Sequence, residues 1–275
     1  MTNLKHLTLS LLVTQVLAAT SFAQSVLFID ANNAPKEIQS VKQGLMNKNQ
    51  SSSTITSVSV VPTTDALPLS VRAEIEKTYA QQLKVQNDMG IMNDQQKDSA
   101  YDQIALLGRT HTELLNGYDK GLLAQEIKTK ITSPIDILIV SGHHENGYIG
   151  EELVPFNADF LRNTLKENPE IYANVKFLFI FGCNSGQESI IRRWAEVVPS
   201  ATMVIASNGV APTKDNPRNL YFIKNLIRQT RALANGQPLS STIQAKSFLK
   251  KIKFYGWPAA MLWKFNPESA GIYLK

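Results

Sequence analysis

The chain has 275 residues, 43% of them hydrophobic and 19% charged, with a formal net charge of +5. Such a length and composition suit one large α/β domain or two small ones, and they exclude a disordered chain. Past the N-terminus no apolar run reaches the roughly 18 residues that span a bilayer. The positive charge is spread out, with one small cluster in 246–253, so no nucleic-acid module is expected and the charge suits only weak contact with anionic surfaces.

Lys5 and His6 form a short polar start, Leu7 to Ala19 is mostly apolar and uncharged, and Ser21-Phe22-Ala23 sets small residues where a signal peptidase inspects them. A signal peptide over residues 1–23 is therefore expected, followed by a single domain over 24–275 in the periplasm or outside the cell. The chain contains one cysteine, Cys183. An exported protein commonly uses cysteines in disulfide pairs. A lone thiol in an oxidising compartment is exposed to oxidation and cross-linking, so its presence is easier to understand if it does chemistry. The bland alternative is a small buried hydrophobe.

Ser25 to Ile29 is an apolar run that ends at Asp30-Ala-Asn-Asn33, which predicts a first strand and a loop. Pro35 opens a helix expected to run to Met46, because proline is tolerated in the first turn. The β-branched stretch Thr54 to Val61 predicts a second strand. From about 65 to 132 there is no strand pattern. Val71 to Asn87 and Asp98 to Leu115 read as helices, so this segment is an all-helical insertion.

Ile135 to Val140 and Val175 to Phe181 are nearly continuous apolar runs, as in strands buried on both faces of a parallel sheet. Helices are expected over Asn157 to Lys166 and Gln187 to Val197, a strand over Thr202 to Ala206, and helices over Asn219 to Ala234 and Ser240 to Lys251. Leu262 to Phe265 and Ile272 to Leu274 read as short terminal strands. The order predicts an α/β fold, a mostly parallel sheet flanked by helices.

Active sites of such sheets collect at the carboxyl ends of strands. One predicted strand runs into Ser141-Gly-His-His-Glu-Asn-Gly147, the next into Gly182-Cys-Asn-Ser-Gly186. The sole cysteine and two of the four histidines thus fall at equivalent ends of two strands. A thiolate is the nucleophilic form, and an imidazole can take the thiol proton and return it to a leaving amine. A helix starting near Gly186 would favour the thiolate through its positive end. Backbone N–H groups around Gly182 to Asn184 and after His143 are suited to an oxyanion. Gly182 permits the tight turn after the strand.

Asp136 is read either as orienting a histidine or as capping the sheet. Asp30 and Asn32 are weak candidates for orienting the imidazole. His143, His144 and Glu145 do not suit a metal, because adjacent side chains point apart and no further ligand is evident. His111 reads as a surface or packing residue.

The two motifs resemble those of the caspase-like cysteine peptidases, the group that includes caspases, legumains, gingipains, clostripain-like enzymes, separases and CHAT domains. Their pattern is an apolar strand, His-Gly, a linker helix, another apolar strand, a small residue and Cys. Gly182-Cys-Asn-Ser-Gly186 is closest to the legumain and CHAT versions. The resemblance covers about 135–207, and it implies a caspase-like fold and a secreted endopeptidase acting on polypeptides through a Cys183/His143 dyad, with no cofactor.

The group usually keeps a glycine after the histidine, where this chain has His144. That leaves two registers, with His143 or His144 as the base, and the motif favours His143. The resemblance also sets Ser207 and Asn208 at the substrate pocket. The rival readings are a non-catalytic binding module on the same fold, and another thiol hydrolase or acyltransferase.

Overall fold

The computed structural model describes residues 25–31, 34–46, 57–62, 67–114, 120–150, 155–201, 203–212, 217–236, 242–255 and 260–265. The expected signal peptide, Asn32 and the expected strand at 272–274 lie outside them.

The fold is α/β. A six-stranded sheet has the order β2-β1-β3-β7-β8-β9. Its strands are β1 (Ser25–Asp30), β2 (Ser57–Val61), β3 (Ile137–Ser141), β7 (Phe177–Phe181), β8 (Met203–Ser207) and β9 (Ala260–Phe265). All neighbours run parallel except β9, which lies antiparallel to β8. Every residue of β3, β7 and β8 is buried, as their unbroken apolar runs predict. The edge strand β2 alternates serine and valine, and Val58 and Val60 lean on the core.

Helix α1 (Pro35–Leu45) links β1 to β2 in one direction along the sheet. Helices α5 (Ala158–Leu165), α6 (Pro169–Tyr172) and α7 (Glu188–Ala195) lie on the connections that step from β3 to β7 to β8 in the other. Parallel crossovers keep one hand, so the two sets must cover opposite faces of the sheet. The two core clusters obey this. One gathers Leu161, Ile191 and Trp194 over Leu138, Ile180 and Val204. The other gathers Ile38 and Val41 with Phe222 and Ile227 of α8 (Pro217–Gly236) and Phe248 of α9 (Thr242–Tyr255) over Phe28, Ile139, Phe179 and Ile205.

The insertion is helical, as expected: α2 (Leu69–Asp88), a single 3-10 turn over Met89–Ile91, α3 (Asp94–Leu114) and α4 (Lys120–Lys130). Ile75 of α2 belongs to the first core cluster. One turn on, the Tyr79 hydroxyl donates to Asp30 Oδ2 at the end of β1, at 2.7 Å. Helix α2 therefore passes over the carboxyl end of β1. His111 of α3 is buried and meets Tyr79 edge-on, with ring centroids 5.4 Å apart, so it is a packing residue.

A second, three-stranded antiparallel sheet is made of β4 (His144–Glu145), β5 (Tyr148–Ile149) and β6 (Phe156–Asn157). The sequence reading contains none of these two-residue strands. Asn146 and Gly147 both have positive φ, 51° and 86°, and they join Glu145 to its partner Tyr148. This is the two-residue hairpin turn that Asn-Gly favours. Among the described residues no helix is long and apolar enough to cross a membrane.

Candidate active site at the carboxyl ends of β3 and β7

Ser141 pairs with Phe181 at the last step of the β3–β7 ladder. One residue beyond, Gly142 and Gly182 lie side by side. Gly142 N–H donates to Phe181 O at 3.3 Å, and a Cβ on Gly182 would sit 3.4 Å from Gly142 O. His143 and Cys183 are the next residues on the two chains. The sheet thus delivers the two groups from adjacent strands, about 4.8 Å apart in the ladder below.

Both glycines are required by close approach. A Cβ on Gly142 would lie 2.6 Å from Ile149 Cγ2, and one on Gly182 would lie 2.8 Å from His144 Cβ. Gly182 therefore acts by leaving room for His144. Cys183 is half-buried, and Asn184 after it is left-handed, with φ 56°. The chain turns sharply here before entering α7.

The two histidines do different things. His143 is exposed, and its ring makes no hydrogen bond among the described residues. His144 is half-buried, and its Nδ1 lies 2.8 Å from Cys183 O. A carbonyl oxygen only accepts, so Nδ1 carries the proton and donates. Nε2 is then the unprotonated nitrogen of the neutral ring, and it is buried with no partner among the described residues. The side chain that departs from the resembled motif thus ties the histidine hairpin to the cysteine loop.

Its backbone is equally well placed. Gly150 N–H donates to His143 O at 2.9 Å, so His144 and Ile149 form a pair that exchanges no ladder bonds. The His144 N–H therefore points away from β5 and takes no part in that ladder. His144 does not have positive φ, so a side chain is tolerated where the resembled motif has glycine.

Burial holds the His144 imidazole below its ordinary 6.5, and the hydrogen bond to Cys183 O offsets part of this. The neutral ring is the form that is packed. As pH falls through about 6.5 the unfolded chain takes up a proton that the folded protein resists. Stability present above that pH is lost below it. In urea unfolding, the drop in midpoint between pH 7.5 and pH 5.5 is expected to shrink in His144→Gln; an unchanged drop would remove His144 as its source.

Two sequence expectations are corrected, and the open choice at Asp136 falls to the sheet edge. Asp136 does not orient a histidine. Its carboxylate accepts Ser25 N–H at 3.2 Å and its backbone joins Ser25 and Lys176 at the opposite, amino edge of the sheet. Asp30 does not reach the imidazole either. It is buried, and it accepts the Ala34 N–H before α1 and the Tyr79 hydroxyl. Ser207 is not a pocket wall. It is fully buried, and its hydroxyl reaches back to Gly209 O at 2.9 Å and Val210 O at 3.0 Å. Asn208, the next residue, is exposed.

Of the N–H groups expected to serve an oxyanion, that of Asn184 is committed to Gly209 O at 2.8 Å. Ser185 N–H goes to Gly182 O and Gly186 N–H to Ser207 O.

Several residues escaped the sequence reading. Glu37 of α1 is fully buried and accepts the Ser141 hydroxyl at 2.5 Å, and Tyr79 covers Asp30. Burial and the nearby charges of Asp30 and Glu37 push the Tyr79 hydroxyl well above its ordinary range, so it stays a donor. The third is the Ala211 amide, which lies 3.5 Å from Cys183 Sγ. Nothing in a single sequence marks such long-range pairs. The hairpin, by contrast, was announced by Asn146-Gly147.

Among the described residues no group of His, Cys, Asp and Glu could hold a metal ion. In comparisons with known proteins, no family model matches the chain and no curated protein matches it.

Proposed function

We propose that the chain is an exported cysteine endopeptidase of the caspase-like group, with Cys183 as nucleophile and His143 as base. The observation that carries this reading is the juxtaposition of the two residues, each two positions past the paired ends of β3 and β7. The strand order, the helices on both faces and the order of histidine before cysteine support it further.

His143 takes the thiol proton, and Cys183 Sγ bonds to the scissile carbonyl carbon. The carbonyl oxygen takes up the negative charge, facing the His144 N–H, which stands in for the glycine amide of the resembled group. Collapse of this adduct breaks the C–N bond, and His143 returns the proton to the leaving amine. Water then hydrolyses the thioester. His143 is exposed, so its ring is accessible for this exchange. His144 is fixed to Cys183 O and supports the loop.

The test is digestion of a peptide library by the protein before and after iodoacetamide. Cys183 is the only cysteine, so one label per chain reports its modification. Cleavage that disappears in step with labelling is expected. Cleavage that survives complete labelling would overturn the reading. Trapping a non-peptide acyl group on the thiol would instead favour another thiol hydrolase or acyltransferase.

A further inference from the structure

Cys183 Sγ has a neighbour that the histidine chemistry does not use. The Ala211 N–H points at the sulfur from 3.5 Å, in the irregular segment after β8. A donor on a loop without secondary structure is useful only if something holds that loop.

Backbone bonds and two buried serines hold it. Three bonds join the cysteine loop to the β8 loop: Asn184 N–H to Gly209 O at 2.8 Å, Gly186 N–H to Ser207 O at 2.6 Å, and Ser207 N–H to Ser185 Oγ at 3.4 Å. The Ser185 hydroxyl donates to Gly182 O at 2.6 Å. The Ser207 hydroxyl shares its one proton between Gly209 O and Val210 O, which folds 207–210 into a closed turn. Both side chains are 0% exposed, so neither meets a substrate. Ser185 ties the cysteine loop to the end of β8, and the Ser207 hydroxyl closes the turn that leads to Ala211.

We infer that Ser207 is a positioning residue for Cys183: its buried hydroxyl closes the β8 loop so that the Ala211 amide is presented to the sulfur as a fixed donor. Such a donor favours the thiolate over the thiol, because a charged acceptor makes the stronger bond. Being preorganised, it needs no rearrangement when the charge forms. The donor works alongside His143 and belongs to the opposite wall of the site.

The inference rests on Cys183 being the nucleophile, yet its test needs no substrate. The rate of Cys183 alkylation by iodoacetamide is measured against pH in the full chain and in Ser207→Ala. Loosening of one hydrogen bond of ordinary strength is expected to slow alkylation at pH 7 by about 3- to 10-fold and to move the profile to higher pH. An unchanged profile in a folded variant would overturn the inference. Failure of the peptidase reading would appear as intact peptides, with the alkylation shift still present. Should the variant not fold, the unaltered protein decides. The Ala211 amide proton resonance is expected to move with pH at the same midpoint as alkylation, and a resonance that stays still while the thiol titrates would refute the bond.

Discussion

Cys183→Ala is expected to abolish peptide hydrolysis, and His143→Ala to lower kcat/KM by about 10²–10⁴-fold, the range of a lost general base. The two losses should not add, because the base has no proton to take once the thiol is gone. His144→Gly is expected to behave differently. It restores the residue of the resembled group, keeps the backbone N–H, and removes the ring bonded to Cys183 O. A moderate loss is expected, with binding and turnover both affected as the cysteine loop loosens. The pair of variants separates the two registers. Were His144 the base, its glycine variant would lose the larger factor and His143→Ala would be nearly silent. Steady-state kinetics on one peptide from the library digest is sufficient.

Gly186→Ala is expected to cause the largest loss among the glycines of the site. A Cβ there would lie 2.8 Å from the carbonyl carbon of Ser207, 2.9 Å from its oxygen and 3.0 Å from Asn208 N. These are backbone atoms, so no rotamer change relieves the clash. Overpacking of this kind costs about 1–3 kcal/mol. The methyl group would also part the cysteine loop from the β8 loop, stretching the bond from Gly186 N–H to Ser207 O. A displacement of about 1 Å near reacting groups can lower turnover about 10²-fold. Gly90→Ala is the control, since an added Cβ there meets nothing within 4 Å. Urea unfolding and kcat/KM on both variants check this. Equal behaviour of the two would mean that the loops tolerate separation.

The β-α alternation was legible because buried parallel strands leave an unmistakable mark. The runs at Ile137–Ser141 and Phe177–Phe181 have no polar face to confuse with a helix. From them followed the placement of His143 and Cys183. The hairpin strands β4 and β5 have two residues each, too few for any period, and only the Asn146-Gly147 turn marks them. The fates of Asp30 and Ser207 were hidden for another reason. Tyr79 stands 49 residues from Asp30, and the Ser207 hydroxyl bonds carbonyls of its own loop. Which polar group satisfies a buried carboxylate or hydroxyl depends on the finished fold, and a strand-end position alone does not reveal it.

Tyr79 on Asp30 has one more implication. With α2 lying over the end of β1, that flank of the candidate site is covered. Under the proposed function, an extended peptide crossing Cys183 would run toward the other flank, where Asn208 and Val210 are exposed. Substrate direction would then be set by the insertion, a part of the chain that touches neither the thiol nor the imidazole.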